Sequence, residues 1–262
     1  MGTKPLSLNE PTQATQELPV LKISFAVCTA LLAAGLYNYA NLPDTGWLRA
    51  ELSDEPRQQS VVQAAFTRSA GGVVYTIEPS HRYEIFGLVV SKHNADTWWD
   101  YVHAATNDNL NVTDLCVVWG SNALGGAYQK LSFSSGQWTC NWQTSSDEAL
   151  RAFDANKISN NHILTDDARL AKKLRNVRIG DQIHITGQLT SYKHQAGQSF
   201  SRGTSTVRTD SGNGACETIF VDEVNILRAA PAFWRNVTWL AGLGMLLSVL
   251  LGLFRPHRAR RH

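Results

Sequence analysis

Val177-Arg-Ile-Gly-Asp-Gln-Ile-His-Ile-Thr-Gly-Gln-Leu-Thr-Ser-Tyr192 is the stretch on which the fold class turns. Ile183, Ile185 and Gly187 alternate with Gln182, His184 and Thr186, the period-two pattern of a strand with one apolar and one polar face. A Gly180-Asp181 turn opens it, and Gly187 falls where a barrel strand bends or coils sharply. The pattern predicts a mainly β domain with short helices.

The flanking sequence extends this reading. Val73–Ile77 and Tyr83–Ser91 are rich in β-branched and aromatic residues and predict a strand pair separated by Glu78-Pro-Ser-His-Arg82. A helix is expected over Asp96–Ala105, with Asp96 as its cap and Trp98, Trp99 and Val102 as its apolar face. Further strands are expected at Leu115–Trp119, Lys130–Phe133, Gln137–Gln143 and Glu217–Leu227. Ser145 with Glu148 forms a capping-box pattern, and Thr165 precedes a second short helix ending near Asn176. The Gly180–Asp181 run resembles the first long strand of OB-fold barrels, which implies an OB-like small barrel.

Two apolar segments flank this domain. Ile23–Ala40 and Val237–Phe254 are each 18 residues long without a charge, enough at 1.5 Å per residue for the core of a thin bilayer. Tyr37, Tyr39 and Trp47 follow the first, and Phe233, Trp234 and Trp239 adjoin the second, as interfacial aromatics do. Four arginines and no acid lie in Arg255–His262, which puts the C-terminus, and with two spans the N-terminus, in the cytoplasm. The expected organisation is a disordered cytoplasmic tail over 1–18, a transmembrane helix over 19–42 and a connector over 43–71. A β-rich periplasmic domain over 72–228, a second transmembrane helix over 233–254 and a basic tail over 255–262 follow. Membrane lipid of a bacterial inner membrane is then the first partner. Ala26, Ala30 and Ala34, and Gly244, Ser248 and Gly252, form small-residue stripes expected to pack on each other or on a protein partner or second copy. Pro43–Asn236 carries 18 Lys and Arg against 20 Asp and Glu, a net charge of −2, from which no nucleic-acid partner is expected.

Cys116, Cys140 and Cys216 lie in the domain, and in an oxidising compartment one disulfide and one leftover thiol are expected. Cys116 with Cys140, on adjacent strands, is the preferred pair, with Cys140–Cys216 second. No metal spacing appears among the eight histidines, and Asp96, Asp100 and His103 read as a solvated helix face; no metal or cofactor is expected. Trp98, Trp99, Trp119, Trp138 and Trp142 read as core and rim of a barrel.

The most unusual stretch is Ser201-Arg-Gly-Thr-Ser-Thr-Val-Arg-Thr-Asp-Ser-Gly-Asn-Gly-Ala-Cys-Glu217, preceded in the chain by Ile158-Ser-Asn-Asn-His-Ile-Leu164. With the Gly-Asp strand and the Trp-rich centre, these segments resemble a family of uncharacterised bacterial membrane-anchored proteins over most of Tyr83–Leu227. The resemblance implies one domain and brings no activity. Asn160, Asn161, His162, Arg202, Ser205, Arg208, Asp210 and Glu217 are the candidate binding residues, with Gly212 and Gly214 turning the chain into the last strand. Two functions compete: a tethered binding or assembly module, which the sequence favours, and an envelope-acting hydrolase using His162, Ser205 or Cys216.

Overall fold

The computed structural model describes residues 13–210 and 215–254. The chain forms a mostly β unit, Asn41–Ala230, and a helical unit contributed by the two ends of the chain.

The helical unit is α1 (Gln13–Tyr37) packed on α6 (Phe233–Leu253). Both are long and apolar enough to span a membrane. Ile23, Val27, Leu31, Leu240 and Leu247 point outward, as side chains facing hydrocarbon do. The helices approach closely where glycine leaves room: a Cβ on Gly35 would lie 2.4 Å from Thr238 Oγ1, and one on Gly244 would lie 2.6 Å from Cys28 Sγ. Of the two expected small-residue stripes, Gly244 meets the other helix, whereas Gly252 has nothing within 4 Å. Residues 13–18, expected in a disordered tail, belong to α1, while residues 1–12 and the basic tail 255–262 lie outside the described residues.

In the β unit, β1 (Arg57–Ser60) and β2 (Phe66–Ala70) precede the 22-residue β3 (Val73–Asn94), followed by α2 (Tyr101–Thr106), β4 (Asn111–Val118) and α3 (Gly120–Leu124). Next come the hairpin β5 (Ser132–Gly136) and β6 (Thr139–Gln143), α4 (Asp147–Ala152), β7 (Ile158–Leu164) and α5 (Ala168–Arg175). β8 (Gln182–His194), β9 (Phe200–Arg202) and β10 (Glu217–Arg228) complete it. β3, β4, β7, β10 and β8 are neighbours in that order, and β8 pairs back onto β3, closing a five-stranded barrel in which only β7 and β10 run parallel.

The expected strand pair at 73–91 is one continuous strand. Its Glu78–Arg82 middle stays in the ladder with β8 through a register shift between Pro79 and His81, where a proline without N–H is tolerated. The segment 43–71, read as a connector, supplies β1 and β2; both are edge strands of largely exposed residues without a buried face to betray them. The Gly180–Asp181 strand is the fourth barrel strand in chain order, not the first, because β3 takes the opening position. Gly180 adopts φ +87° at the turn, where a side chain would be strained, and Asp181 ties the turn by accepting from Arg178 N at 2.8 Å and Ala230 N at 2.7 Å.

Helix caps fall one to four residues later than expected. Asp100, not Asp96, caps α2 by accepting from His103 N at 3.0 Å; Asp96 instead pairs with Arg175 at 2.8 Å. Ser146 caps α4, and Asp167 caps α5 through Arg169 N and Leu170 N, while Thr165 Oγ1 accepts from Asp167 N.

Alternation along the five strands fills the barrel with Ile85, Val89, Leu115, Val117, Ile163, Ile183, Ile185, Leu189 and Val224, with Leu174 of α5 packed against them. A second cluster forms under the β5–β6 hairpin, where Leu88, Val90, Cys116, Val118, Tyr128 and Phe153 meet. Cys116 and Cys140 are joined by a disulfide, Cα atoms 5.6 Å apart, which fastens the hairpin to β4. Trp119 is fully buried, whereas Trp98 is 95% exposed and belongs to neither core nor rim.

Gly187 sits where β8 crosses the bulged part of β10, and a Cβ there would lie 2.4 Å from Phe220 O and 3.0 Å from Ile219 Cγ2. Gly187→Ala is therefore expected to lower stability by about 1–3 kcal/mol, the usual cost of overpacking. Thermal unfolding of the full chain in detergent measures it, and an unchanged midpoint contradicts it.

Candidate active site

The site is built on the outward face of β4 and β7. Asp114 and His162 are directly opposed in the ladder, as are Cys116 and Asn160 two residues along, so alternation puts all four on one face. The same alternation turns Leu115 and Ile163 into the barrel. The Asn160–His162 segment, a candidate binding surface in the sequence, lies in the third barrel strand and is buried throughout.

Asp114 is fully buried, and each of its oxygens is occupied. Oδ1 accepts from His162 Nδ1 at 2.7 Å and Asn111 Nδ2 at 2.9 Å; Oδ2 accepts from Trp138 N at 3.0 Å. Burial alone would raise its pKa, but the charge and hydrogen bond of His162, with Asn111 behind them, hold it below the usual carboxylate range. Asp114 thereby keeps the proton of His162 on Nδ1 and leaves Nε2 as the ring nitrogen open to other partners, with Cys216 nearby at the start of β10.

Nε2 has two suitors. Arg202 Nη2 lies within hydrogen-bond reach and donates when the imidazole is neutral. Cys216 is the other: its thiol and the His162 ring shift each other's titration. Burial opposes the charged ring, yet Asp114 outweighs it and lifts the His162 pKa to about 9, with Arg202 pulling the other way. Burial likewise pushes the Cys216 thiol up, but His162, Asn160 Nδ2 at 3.7 Å and the Arg202 charge bring it below its ordinary value. The arrangement is thiol, imidazole and carboxylate in line, with a side-chain amide beside the sulfur.

The thiol and the amide border a cavity of about 530 Å³ lined by Trp138, Cys140, Asn160, Arg202, Cys216 and Glu217 among others, with His162 and Asp114 buried behind them. Trp138, at the tip of the β5–β6 hairpin with φ +63°, forms one wall: its ring carries the Arg202 guanidinium 4.4 Å from the centroid. Its Nε1–H donates to His103 Nε2 at 2.7 Å.

That last bond decides the chemistry of a second buried cluster, His93, Asp100 and His103, whose donor atoms all lie within 4.8 Å of one another. Indole N–H only donates, so His103 Nε2 carries a lone pair and Nδ1 carries the proton, which it gives to Asp100 at 2.6 Å. Asp100 also bonds His93 Nε2 at 2.6 Å. His103 Nδ1 thus holds a proton where a metal ligand needs a lone pair, and the cluster reads as a hydrogen-bonded brace. Asn111 Nδ2 links it to the site, at 3.0 Å from His103 Nε2 and 2.9 Å from Asp114. The solvated face expected for Asp100 and His103 is instead deeply buried, because α2 starts four residues later and turns them inward.

The other expected residues divide by position. Asn160, Arg202 and Glu217 come together at the cavity with Arg208 and Asp210, and His162 lies behind them against Arg202. Arg208 pairs with Glu217, donates to Tyr83 Oη at 3.1 Å and stacks over Trp119. Ser205 bonds Asp210 Oδ2 at 2.6 Å and Val207 O at 2.9 Å, so its hydroxyl shapes the loop. Asn161 points to the opposite face and bonds Leu115 O and Ser159. Gly212 and Gly214 lie outside the described residues.

No protein-family model matches the chain, and no curated protein does. Among solved structures, the chain is similar to the mitochondrial single-stranded DNA binding protein of S. cerevisiae, at 11% identity and a TM-score of 0.22, over 57% of this chain and 96% of that one. The expected absence of a nucleic-acid partner is corrected by this finding: a net charge is an average over the surface, and single-strand binders work through a local groove and stacking aromatics. The match informs no residue of the site.

Because Asp114 lifts His162 from 6.5 to about 9, their pairing contributes stability in full below about pH 6.5, and this is lost as pH rises through about 9. In a Cys216→Ser background, which removes the thiol's opposing titration, the thermal midpoint is expected to fall over that window. Adding Asp114→Asn should flatten the slope and cost about 3–5 kcal/mol at the lower pH. A slope that survives Asp114→Asn contradicts the assignment.

Proposed function

We propose that this chain is a membrane-tethered thiol enzyme of the acyl-transfer class, a hydrolase or transferase, whose nucleophile is Cys216. One observation carries the reading: His162, bonded through Nδ1 to the buried Asp114, lies near enough to Cys216 to lower its thiol pKa, and Asn160 Nδ2 lies 3.7 Å from the same sulfur. In this reading His162 Nε2 takes the thiol proton, Sγ attacks a carbonyl carbon, and the same nitrogen returns the proton to the leaving group. The acyl thioester then passes to water or an acceptor. Asp114 steadies the imidazolium, and Asn160 Nδ2 supplies a donor beside the developing oxyanion. Ser205 has no place in the chemistry, since its hydroxyl is held by Asp210.

The tether expected for a binding module serves the enzyme equally. The strand order supports an OB-type barrel: numbered in chain order, the five barrel strands neighbour one another as 1-2-3-5-4-1. Residues 19–42 and 233–254 are proposed to cross a bacterial inner membrane with both termini cytoplasmic. The Cys116–Cys140 disulfide agrees with a periplasmic barrel.

Incubating the detergent-solubilised chain with a small activated ester is expected to give a Cys216 thioester, seen as a mass adduct that Cys216→Ala abolishes. His162→Gln should slow its formation by about a hundredfold or more, the usual contribution of a general base. If no adduct forms and Cys216 alkylates no faster than a free thiol, the enzymatic reading is wrong. For orientation, alkaline phosphatase fused after Arg228 is expected to be active in cells and inactive when fused after Phe254; the reverse pattern overturns the topology.

A further inference from the structure

The two arginines beside the cavity are used differently. Arg208 is neutralised by Glu217. Among the described residues no carboxylate ion-pairs with Arg202: Asp114 is committed to His162, Asn111 and Trp138, and Asp210 to Ser205. The Arg202 guanidinium instead lies over the Trp138 ring and directs Nη2 at His162 Nε2. A cation donating to an imidazole nitrogen is a weak arrangement, since a guanidinium gains far more from an oxyanion in its plane. It is also an obstructive one. In the neutral form of the ring, the lone pair that Arg202 occupies is the one that receives the thiol proton.

We infer that Arg202 is the anion-recognition residue of this site, and that the substrate carries a carboxylate- or phosphate-type oxyanion near the bond Cys216 attacks. The inference deepens the thiol-enzyme reading and rests on it for the role of Cys216. An anion entering the cavity takes the guanidinium from Nε2 while Trp138 continues to hold its face, and His162 is left free to act as base. The empty enzyme is thereby restrained, and the substrate's own charge lifts the restraint. Two buried acceptors at the cavity, Asn160 Oδ1 and Glu217 Oε2, have no hydrogen-bond partner among the described residues, so the group bearing the anion is expected to bring N–H or O–H donors as well. Burial raises the Glu217 carboxyl to about 7, which lets that position serve as donor or acceptor near neutrality.

Paired alkylating reagents test this on the full chain in detergent, without knowledge of the substrate. Iodoacetate carries the anion and iodoacetamide does not, and adducts on Cys216 are counted by peptide mass in a Cys28→Ser background with the disulfide intact. The iodoacetate to iodoacetamide rate ratio, referred to glutathione, is expected to be about tenfold higher for the wild-type site, as one charge-assisted contact provides. Arg202→Gln should return it to the glutathione value, and Arg202→Lys should keep part of it. Raised ionic strength should reduce the preference. Acetate and phosphate as competitors separate the two oxyanion types, by whichever protects Cys216 from iodoacetate. Equal ratios in wild type and Arg202→Gln, with neither anion protecting, overturn the inference. A ratio that depends on Arg202 in a protein that forms no thioester leaves the anion site standing and removes the acyl-transfer reading alone.

Discussion

The hydrogen bond between Asp114 and His162 is the interaction on which the rest depends. Two ionisable groups with essentially no solvent contact face each other across β4 and β7, and neither could be buried there alone. A carboxylate in such a place must be matched by donors on every side, and Asn111, Trp138 and His162 meet that demand. Each comes from a different part of the chain, so satisfying one buried charge forces the start of β4, the tip of the β5–β6 hairpin and the middle of β7 into a single arrangement. A slip of one residue in the β4–β7 pairing would put the two groups on opposite faces of the sheet.

The surrounding elements act as supports for this pair. The disulfide holds the hairpin against β4, and the hairpin tip is clamped again by Gln137, whose amide bonds Trp99 O and Val102 N. Trp138 spends its backbone N–H on Asp114, its indole N–H on His103 and its ring face on Arg202. The brace of His93, Asp100 and His103 backs the wall from behind. The long loop after β9 returns Cys216 to the open side of His162, its course held by Ser205 N bonding Cys216 O at 2.9 Å and by Arg208 on Glu217. A free thiol thus sits at the end of a scaffold that is rigid on three sides.

Much of the fold was legible because it follows from periodicity. The alternation of Ile183, Ile185 and Gly187, the uncharged helices at both ends, and the strands bearing Cys116 and Cys140 all signal in local sequence. The third barrel strand was not legible, since Ser159-Asn-Asn-His162 is polar on both faces and owes its burial to partners far along the chain. His162, Asn160 and Arg202 were visible as unusual residues in an unusual segment. Asp114 was missed although a signal existed: an acid two residues before Cys116, directly ahead of an apolar run, shares the face of that cysteine once the strand is extended to include it. Trp138 was read as packing material because its donors acquire meaning only once the hairpin is folded over β4.

At 22 residues β3 is the longest strand among the described residues. This one strand pairs with β1, β2, β4 and β8, and closing the barrel requires it to meet residues such as His184, a hundred positions beyond Glu84. Contacts so distant along the chain are reached slowly, because the entropy of closing the intervening loop must be met before the ladder returns anything. Until β8 arrives, the hydrogen-bonding groups along β3 and the apolar residues Ile85 and Val89 stand open to solvent or to another chain. The topology that shelters the thiol in the finished molecule therefore leaves the nascent one exposed to misassociation for longer than a helical domain of equal size would be.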